Sequence, residues 1–158
     1  MVNFSLVVTS DHVYRGKKAD EVTPLVKERL AKEGHQLVYN VVVPNNPDII
    51  KSAVLDAISR TDVVLVSGGT GPSPRDISYD VVKGLASKEL PGFGELFRFK
   101  SLESVGYGVI LTRASAFVVG RSLVVVVPGN PSAMGIALEI LMPVVNHAVE
   151  QIHGEPHH

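Results

Sequence analysis

The chain predicts an α/β fold in which a mostly parallel sheet is covered by helices on both faces. Near-continuous Val and Leu runs stand at 4–9, 37–43, 63–66 and 123–127, the pattern of strands buried on both sides. Between the first three runs lie segments with apolar residues at helical spacing. That alternation builds parallel sheets. A length of 158 residues suits one domain, expected over residues 1–152, with 153–158 as a flexible C-terminal tail.

Residues 4–9 form the first strand and run into Ser10-Asp11. Thr23-Pro24 opens a helix with Pro24 at its first position, and Gly34 closes it. Residues 37–43 are the second strand. Asn46-Pro47 repeats the start signal, and Ile50, Ala53, Val54, Ala57 and Ile58 recur at helical spacing. Residues 63–66 lead into a glycine-rich loop, and a helix capped by Ser78 turns Val81, Val82 and Leu85 inward. Residues 90–95 (LPGFGE) read as a turn-rich loop before a short helix from Leu96. Residues 109–112 and 123–127 read as strands, with an antiparallel turn between them over 117–122. After Pro128-Gly129-Asn130-Pro131 comes one long helix, kinked at Pro143.

Composition excludes several classes. A net charge of −1 with both signs mixed, and no basic run with aromatics, argue against a nucleic-acid partner. With no cysteine there is no disulfide framework, thiolate metal site or cysteine nucleophile. The longest apolar run, about six residues, falls far below a membrane span, and Met1-Val2-Asn3-Phe4 lacks the shape of a signal peptide. A cytoplasmic protein without a membrane partner is the expectation.

The most informative stretch is Ser67-Gly68-Gly69-Thr70-Gly71-Pro72-Ser73-Pro74-Arg75-Asp76. A strand that ends in such a loop gathers backbone N–H groups around a small concavity, which suits an anion. It is neither a P-loop, lacking Gly-Lys-Ser/Thr, nor the dinucleotide fingerprint. The alternative is a strand-to-helix turn that merely needs glycine. Asp11, Asp76, Asp80 and Glu95 stand in or beside the loops at strand ends. Glycines that cradle an anion coexist with carboxylates when Mg²⁺ bridges them, which points to a Mg²⁺-nucleotide site. Otherwise Asp11 caps a turn, Asp80 is a first-turn helix acid, and Arg75–Asp76 is a surface pair. Ser132 opens the last helix beside Asn130 and is placed to hold a second phosphate or to share the cap. Arg98 and Arg113 are phosphate clamps or surface charges. His12 and His35 lack partners at ligand spacing, and His153, His157 and His158 fall in the tail.

Three motifs in this order resemble the MoaB/MogA family of molybdenum cofactor biosynthesis proteins: Ser67-Gly68-Gly69-Thr70-Gly71 with Arg75-Asp76, then Pro91-Gly92-Phe93-Gly94-Glu95 with Arg98, then Pro128-Gly129-Asn130-Pro131. The resemblance implies a three-layer α/β sandwich, the molybdopterin-binding fold, assembled as homotrimers or hexamers. It implies binding of molybdopterin as substrate and transfer of AMP to it from Mg-ATP, ahead of a downstream metal-insertion (MoeA-type) protein. Carried over, Ser67, Gly68, Gly69, Thr70, Gly71 and Ser78 would lie against ligand phosphates. Asp76 would be catalytic through Mg²⁺, with Asp11 a second metal ligand. Gly92, Phe93 and Glu95 would border pterin or nucleotide, and Gly129, Asn130, Pro131 and Ser132 would close the pocket. Active relatives often carry an acid where this chain has Asn45-Asn46, and Thr-Pro where it has Ser78-Tyr79. The asparagines keep open a second reading, a carrier that binds molybdopterin without reacting it. A third class, a CinA-type domain acting on other nucleotides, lacks its usual further domain.

Overall fold

A computed structural model gives the structure of the chain and describes residues 1–155. Six strands, β1 (Asn3–Thr9), β2 (Gln36–Val43), β3 (Val63–Ser67), β4 (Lys88–Leu90), β5 (Ser115–Val119) and β6 (Ser122–Val127), form one sheet in the order β2-β1-β3-β6-β5-β4. The β2-β1-β3-β6 pairings are parallel and β6-β5-β4 antiparallel. The sheet is thus mostly parallel, as expected, with an antiparallel edge.

Successive side chains on a strand point to opposite faces, and here both faces are dry. Phe4, Leu6, Leu65 and Val125 pack beneath α2 (Val22–Lys32), α5 (Pro91–Val105), α6 (Pro131–Leu141) and α7 (Val145–Ile152). Val7, Val64, Val66 and Val126 pack against α3 (Pro47–Arg60) and α4 (Ser78–Leu85). Helices on both sides of a sheet make a three-layer sandwich. α1 (Asp11–Tyr14) is a single turn capped by the Ser10 hydroxyl, which accepts from Val13 N–H. Among the described residues no single helix is long and apolar enough to cross a membrane.

Several boundaries differ from the sequence expectation. α2 opens at Val22, because the Asp20 carboxylate accepts from the N–H groups of Val22 and Thr23, both at 3.0 Å. The Asn46-Pro47 start and the Gly34 stop hold: Asn46 Oδ1 accepts from Asp48 and Ile49 N–H, and Gly34 adopts φ +76°. Residues 91–95 are not a loop but the first turn of α5, where Pro91 loses no hydrogen bond. Gly94 is buried there, and a Cβ on it would collide with the Ala114 carbonyl. Residues 109–112 are no strand; Gly106–Leu111 is a 3₁₀ helix. Pro143 breaks the last helix instead of kinking it, and α6 and α7 meet at 71°. His153 is anchored rather than loose, with Nε2 3.1 Å from the Arg121 carbonyl oxygen and 3.2 Å from Asp62 Oδ1. His157 and His158 lie outside the described residues.

Candidate functional site

At the carboxyl end of β3 the chain turns on two glycines in the left-handed region, Gly68 at φ +106° and Gly69 at φ +82°. Both are packed from below. A Cβ on Gly68 would strike the Thr9 carbonyl and hydroxyl, and one on Gly69 would strike the Ser78 hydroxyl. Ser78 is fully buried, donates its N–H to the Gly69 carbonyl at 3.1 Å, and shares a 3.1 Å hydrogen bond with Thr9 Oγ1. Ser78 therefore supports the turn from behind; it lies outside the cleft lining and does not cap α4, contrary to the cap expected from the sequence. On the other side Gly129 lies so close that a Cβ would sit 3.2 Å from Gly68 Cα. Asn130 caps α6 by accepting from Ala133 N–H at 2.9 Å, which leaves the Ser132 hydroxyl free of that duty.

Between these loops opens a cleft of about 330 Å³. Gly69, Thr70, Gly71 and Asp76 form one wall, and Gly129, Asn130 and Ser132 another. Its far end is made by α5 and the 3₁₀ helix: Phe97, Val105, Val109 and Leu111 are apolar, and Ser101, Ser104 and Thr112 carry hydroxyls. Ser101 is buried and its Oγ has no hydrogen-bond partner among the described residues, an unsatisfied donor that a ligand in the cleft would satisfy.

Asp76 is half-buried, and its Oδ2 accepts from Ser73 N–H at 3.1 Å. That carboxylate lies against Gly71, where a Cβ would approach Oδ2 to 2.7 Å. Asp11 is placed differently: its carboxylate pairs with Arg75 and accepts from Asn45 N–H at 2.9 Å. The Asn45 N–H, then the Arg75 guanidinium, hold its carboxyl below the ordinary carboxylate value. Asp11 does not line the cleft, and its carboxylate is already engaged by Arg75 and the Asn45 N–H. Asp48, in the first turn of α3, is exposed and also outside the cleft.

Both candidate clamps are occupied by backbone. Arg98 Nη1 donates to the carbonyls of Thr112 (3.2 Å) and Ala114 (3.0 Å). Arg113 donates to those of Gly71 and Asp76, both at 3.0 Å, and pairs with Asp80 at 2.9 Å. The alternative of an Arg75–Asp76 surface pair does not form; the ion pairs here are Arg75–Asp11 and Arg113–Asp80.

The structure thus brings Gly69, Thr70, Gly71, Asp76, Gly129, Asn130 and Ser132 to one cleft, with Gly68 in its supporting turn. Ser67 and Pro131 instead line a smaller hollow of about 110 Å³ that shares Gly129 with the cleft. Gly92 and Phe93 border an apolar hollow of about 260 Å³ with Leu96, Ile140 and Val144, while Glu95 is exposed. These three do not reach the cleft within one copy of the chain. The sequence reading missed the far wall. Phe97, Ser101, Ser104 and Val105 recur at helical spacing, a signal hidden by treating their helix as short.

Residues 5–147 match the family model described as "Probable molybdopterin binding domain". The chain is 40% identical over 152 residues to a protein of Pyrococcus furiosus named molybdopterin adenylyltransferase, covering 93% of this chain and 89% of that one. It is 35% identical over 158 residues to molybdenum cofactor biosynthesis protein B of Bacillus cereus, covering 98% and 92%. The crystal structure of the tungsten cofactor synthesizing protein MoaB from Pyrococcus furiosus superposes with a TM-score of 0.89 at 38% identity, over 96% of this chain and 97% of that one. The glycine turn, the acid beside it and the matched length place the chain in the MoaB/MogA family of molybdenum cofactor biosynthesis proteins.

Proposed function

We propose that the chain is a molybdopterin adenylyltransferase. A phosphate oxygen of molybdopterin attacks the α-phosphorus of ATP, the bond to the β-phosphate breaks, and pyrophosphate leaves with adenylylated molybdopterin as product. One observation carries the reading: the glycine turn, Asp76 and the N-terminus of α6 share a single cleft that ends in an apolar wall. Backbone N–H groups and a helix N-terminus suit phosphates, and the apolar wall with the Ser101 hydroxyl suits a flat heterocycle. No general base is needed, because aligning two phosphate-bearing ligands and neutralising their charge supplies most of the acceleration. The name of the Pyrococcus furiosus relative supports the same reaction.

Among the described residues no group of three or more Asp, Glu, His or Cys is set to hold a metal. Mg²⁺ is commonly held by one or two carboxylates plus substrate phosphates, and Asp76, whose Oδ1 carries no hydrogen bond among the described residues, fits that arrangement. Bound with ATP, Mg²⁺ supplies charge neutralisation at the phosphates. Thr70, tied through its hydroxyl to Thr112 at 3.0 Å, holds the glycine turn rigid beside them.

Replacing Asp76 by Ala leaves the fold intact and lowers AMP transfer by about a hundredfold or more, on the scale of losing a group that stabilises charge in the transition state. Product analysis with ATP and molybdopterin reads this directly, and turnover at the wild-type rate would remove Asp76 from the mechanism. Asn45 favours the carrier as a second reading, since it stands where active relatives often bear an acid and its Oδ1 is buried without a partner among the described residues. ATP binding separates the two, because a carrier has no use for nucleotide. Self-association as a trimer or hexamer is part of the proposal, and so is delivery of the product to a metal-insertion protein. Phe99 (74% exposed), Tyr107 (87%) and Ile110 (80%) make an apolar surface on α5 and the 3₁₀ helix that supports a second copy covering it.

A further inference from the structure

The loop that carries Asp76 has few ties to the rest of the protein. Residues 71–76 contain neither helix nor strand. Their internal bonds close on Ser73: its N–H donates to Asp76 Oδ2, its carbonyl accepts from Asp76 N–H at 2.9 Å, and its hydroxyl accepts from Arg75 N–H at 3.2 Å. From outside, the side-chain ties are that of exposed Arg75 to half-buried Asp11 and those of Arg113.

Arg113 reaches both ends of the loop from one nitrogen. Nη2 donates to the Gly71 carbonyl and to the Asp76 carbonyl, each at 3.0 Å. Its backbone N–H holds the Thr70 carbonyl at 2.9 Å, and Nη1 bonds Asp80 at 2.9 Å. The guanidinium lies over the Tyr79 ring, 5.1 Å from its centroid. Tyr79 is itself fixed, its hydroxyl donating to the Glu89 carboxylate at 3.0 Å and its ring meeting Phe117 edge-on at 5.4 Å. A planar fork on an aromatic seat is a geometry that arginine provides and lysine does not.

We infer that Arg113, seated on Tyr79, is the positioning residue that sets the 71–76 loop and through it aims the Asp76 carboxylate. The inference rests on the adenylyl-transfer reading for its kinetic consequence but not for its structural one. Arg113 is absent from the cleft lining, so it acts through the loop and not on substrate.

The test compares wild type with Arg113→Lys and Tyr79→Ala by amide hydrogen exchange and by steady-state kinetics. The amides of Ser73, Arg75 and Asp76 should exchange about tenfold or more faster in Arg113→Lys, with those of β3 and β6 unchanged. Its kcat should fall about 10- to 100-fold, the scale of a small misplacement of a catalytic group, while KM for molybdopterin stays within about twofold. Tyr79→Ala should shift both readouts in the same direction by less, and stands in if Arg113→Lys does not fold. Wild-type protection of the loop amides in both variants overturns the inference, as does undiminished kcat in Arg113→Lys. If wild-type protein transfers no AMP, the transferase reading fails, and the exchange experiment still decides whether Arg113 holds the loop.

Discussion

Single residues at the site are chosen by what lies behind them as much as by what they face. Gly69 at φ +82° has the Ser78 hydroxyl where a Cβ would go. Gly69→Ala should therefore cost about 1–3 kcal/mol, from left-handed strain and overpacking together. Denaturant unfolding measures it, and a stability equal to wild type would show that the turn has room to relax. Asp11 makes a prediction with a definite sign. Its carboxyl is held below the ordinary value, first by Asn45 N–H and then by Arg75. Its contribution is therefore fully present above the ordinary carboxylate range and lost as pH falls through the lowered value. The unfolding midpoint of Asp11→Asn should lie below wild type at neutral pH and converge with it in strong acid. A gap that persists unchanged into acid would contradict the ion-pair account. The sequence offered Asp76 as the catalytic acid and Asp11 as a turn cap or a second metal ligand. Partners distant in sequence, the Asn45 N–H and Arg75, the latter 64 positions along the chain, occupy the Asp11 carboxylate, while Asp76 lines the cleft.

At the scale of elements, local signals read well where they are complete within a few residues. Asn46-Pro47 and Asn130-Pro131 each announce a helix, and both asparagines accept the expected backbone N–H. Asn130→Ala should cost about 1 kcal/mol and loosen the α6 wall of the cleft, so that thermal stability and ATP affinity fall together. Loss of stability with ATP affinity intact would place Asn130 in the fold alone. Signals failed where tertiary packing supplied the missing term. The glycines of residues 91–95 looked like turn formers, yet Gly94 is small because the Ala114 carbonyl lies against it inside the layer. Residues 109–112 have strand composition, but no neighbouring strand pairs with them, and they fold as a 3₁₀ helix. β4 is three residues long and only half-buried at its centre, too short for periodicity to register. The far wall of the cleft comes from these misread segments, which is why the glycine side of the site was legible and the α5 side was not.

In the whole molecule, the parallel strands β1, β3 and β6 bring the Ser10, Ser67 and Pro128 loops to one edge, where open α/β sheets bind their ligands. That edge could be read from strand order, because consecutive Val-rich strands joined by helices must run the same way. The assembly could not, since spacing alone does not separate core from interface. The proposed self-association would use the exposed Phe99, Tyr107 and Ile110. Sedimentation at micromolar concentration should show a trimer or hexamer for wild type, and Ile110→Asp should shift it toward monomer. A wild-type monomer would remove self-association from the account. The central claim is chemical, and mass spectrometry of the products formed from molybdopterin, Mg²⁺ and ATP tests it most directly. The account predicts adenylylated molybdopterin and pyrophosphate in equal amounts; unchanged ATP beside protein-bound molybdopterin would contradict it and leave the chain a carrier.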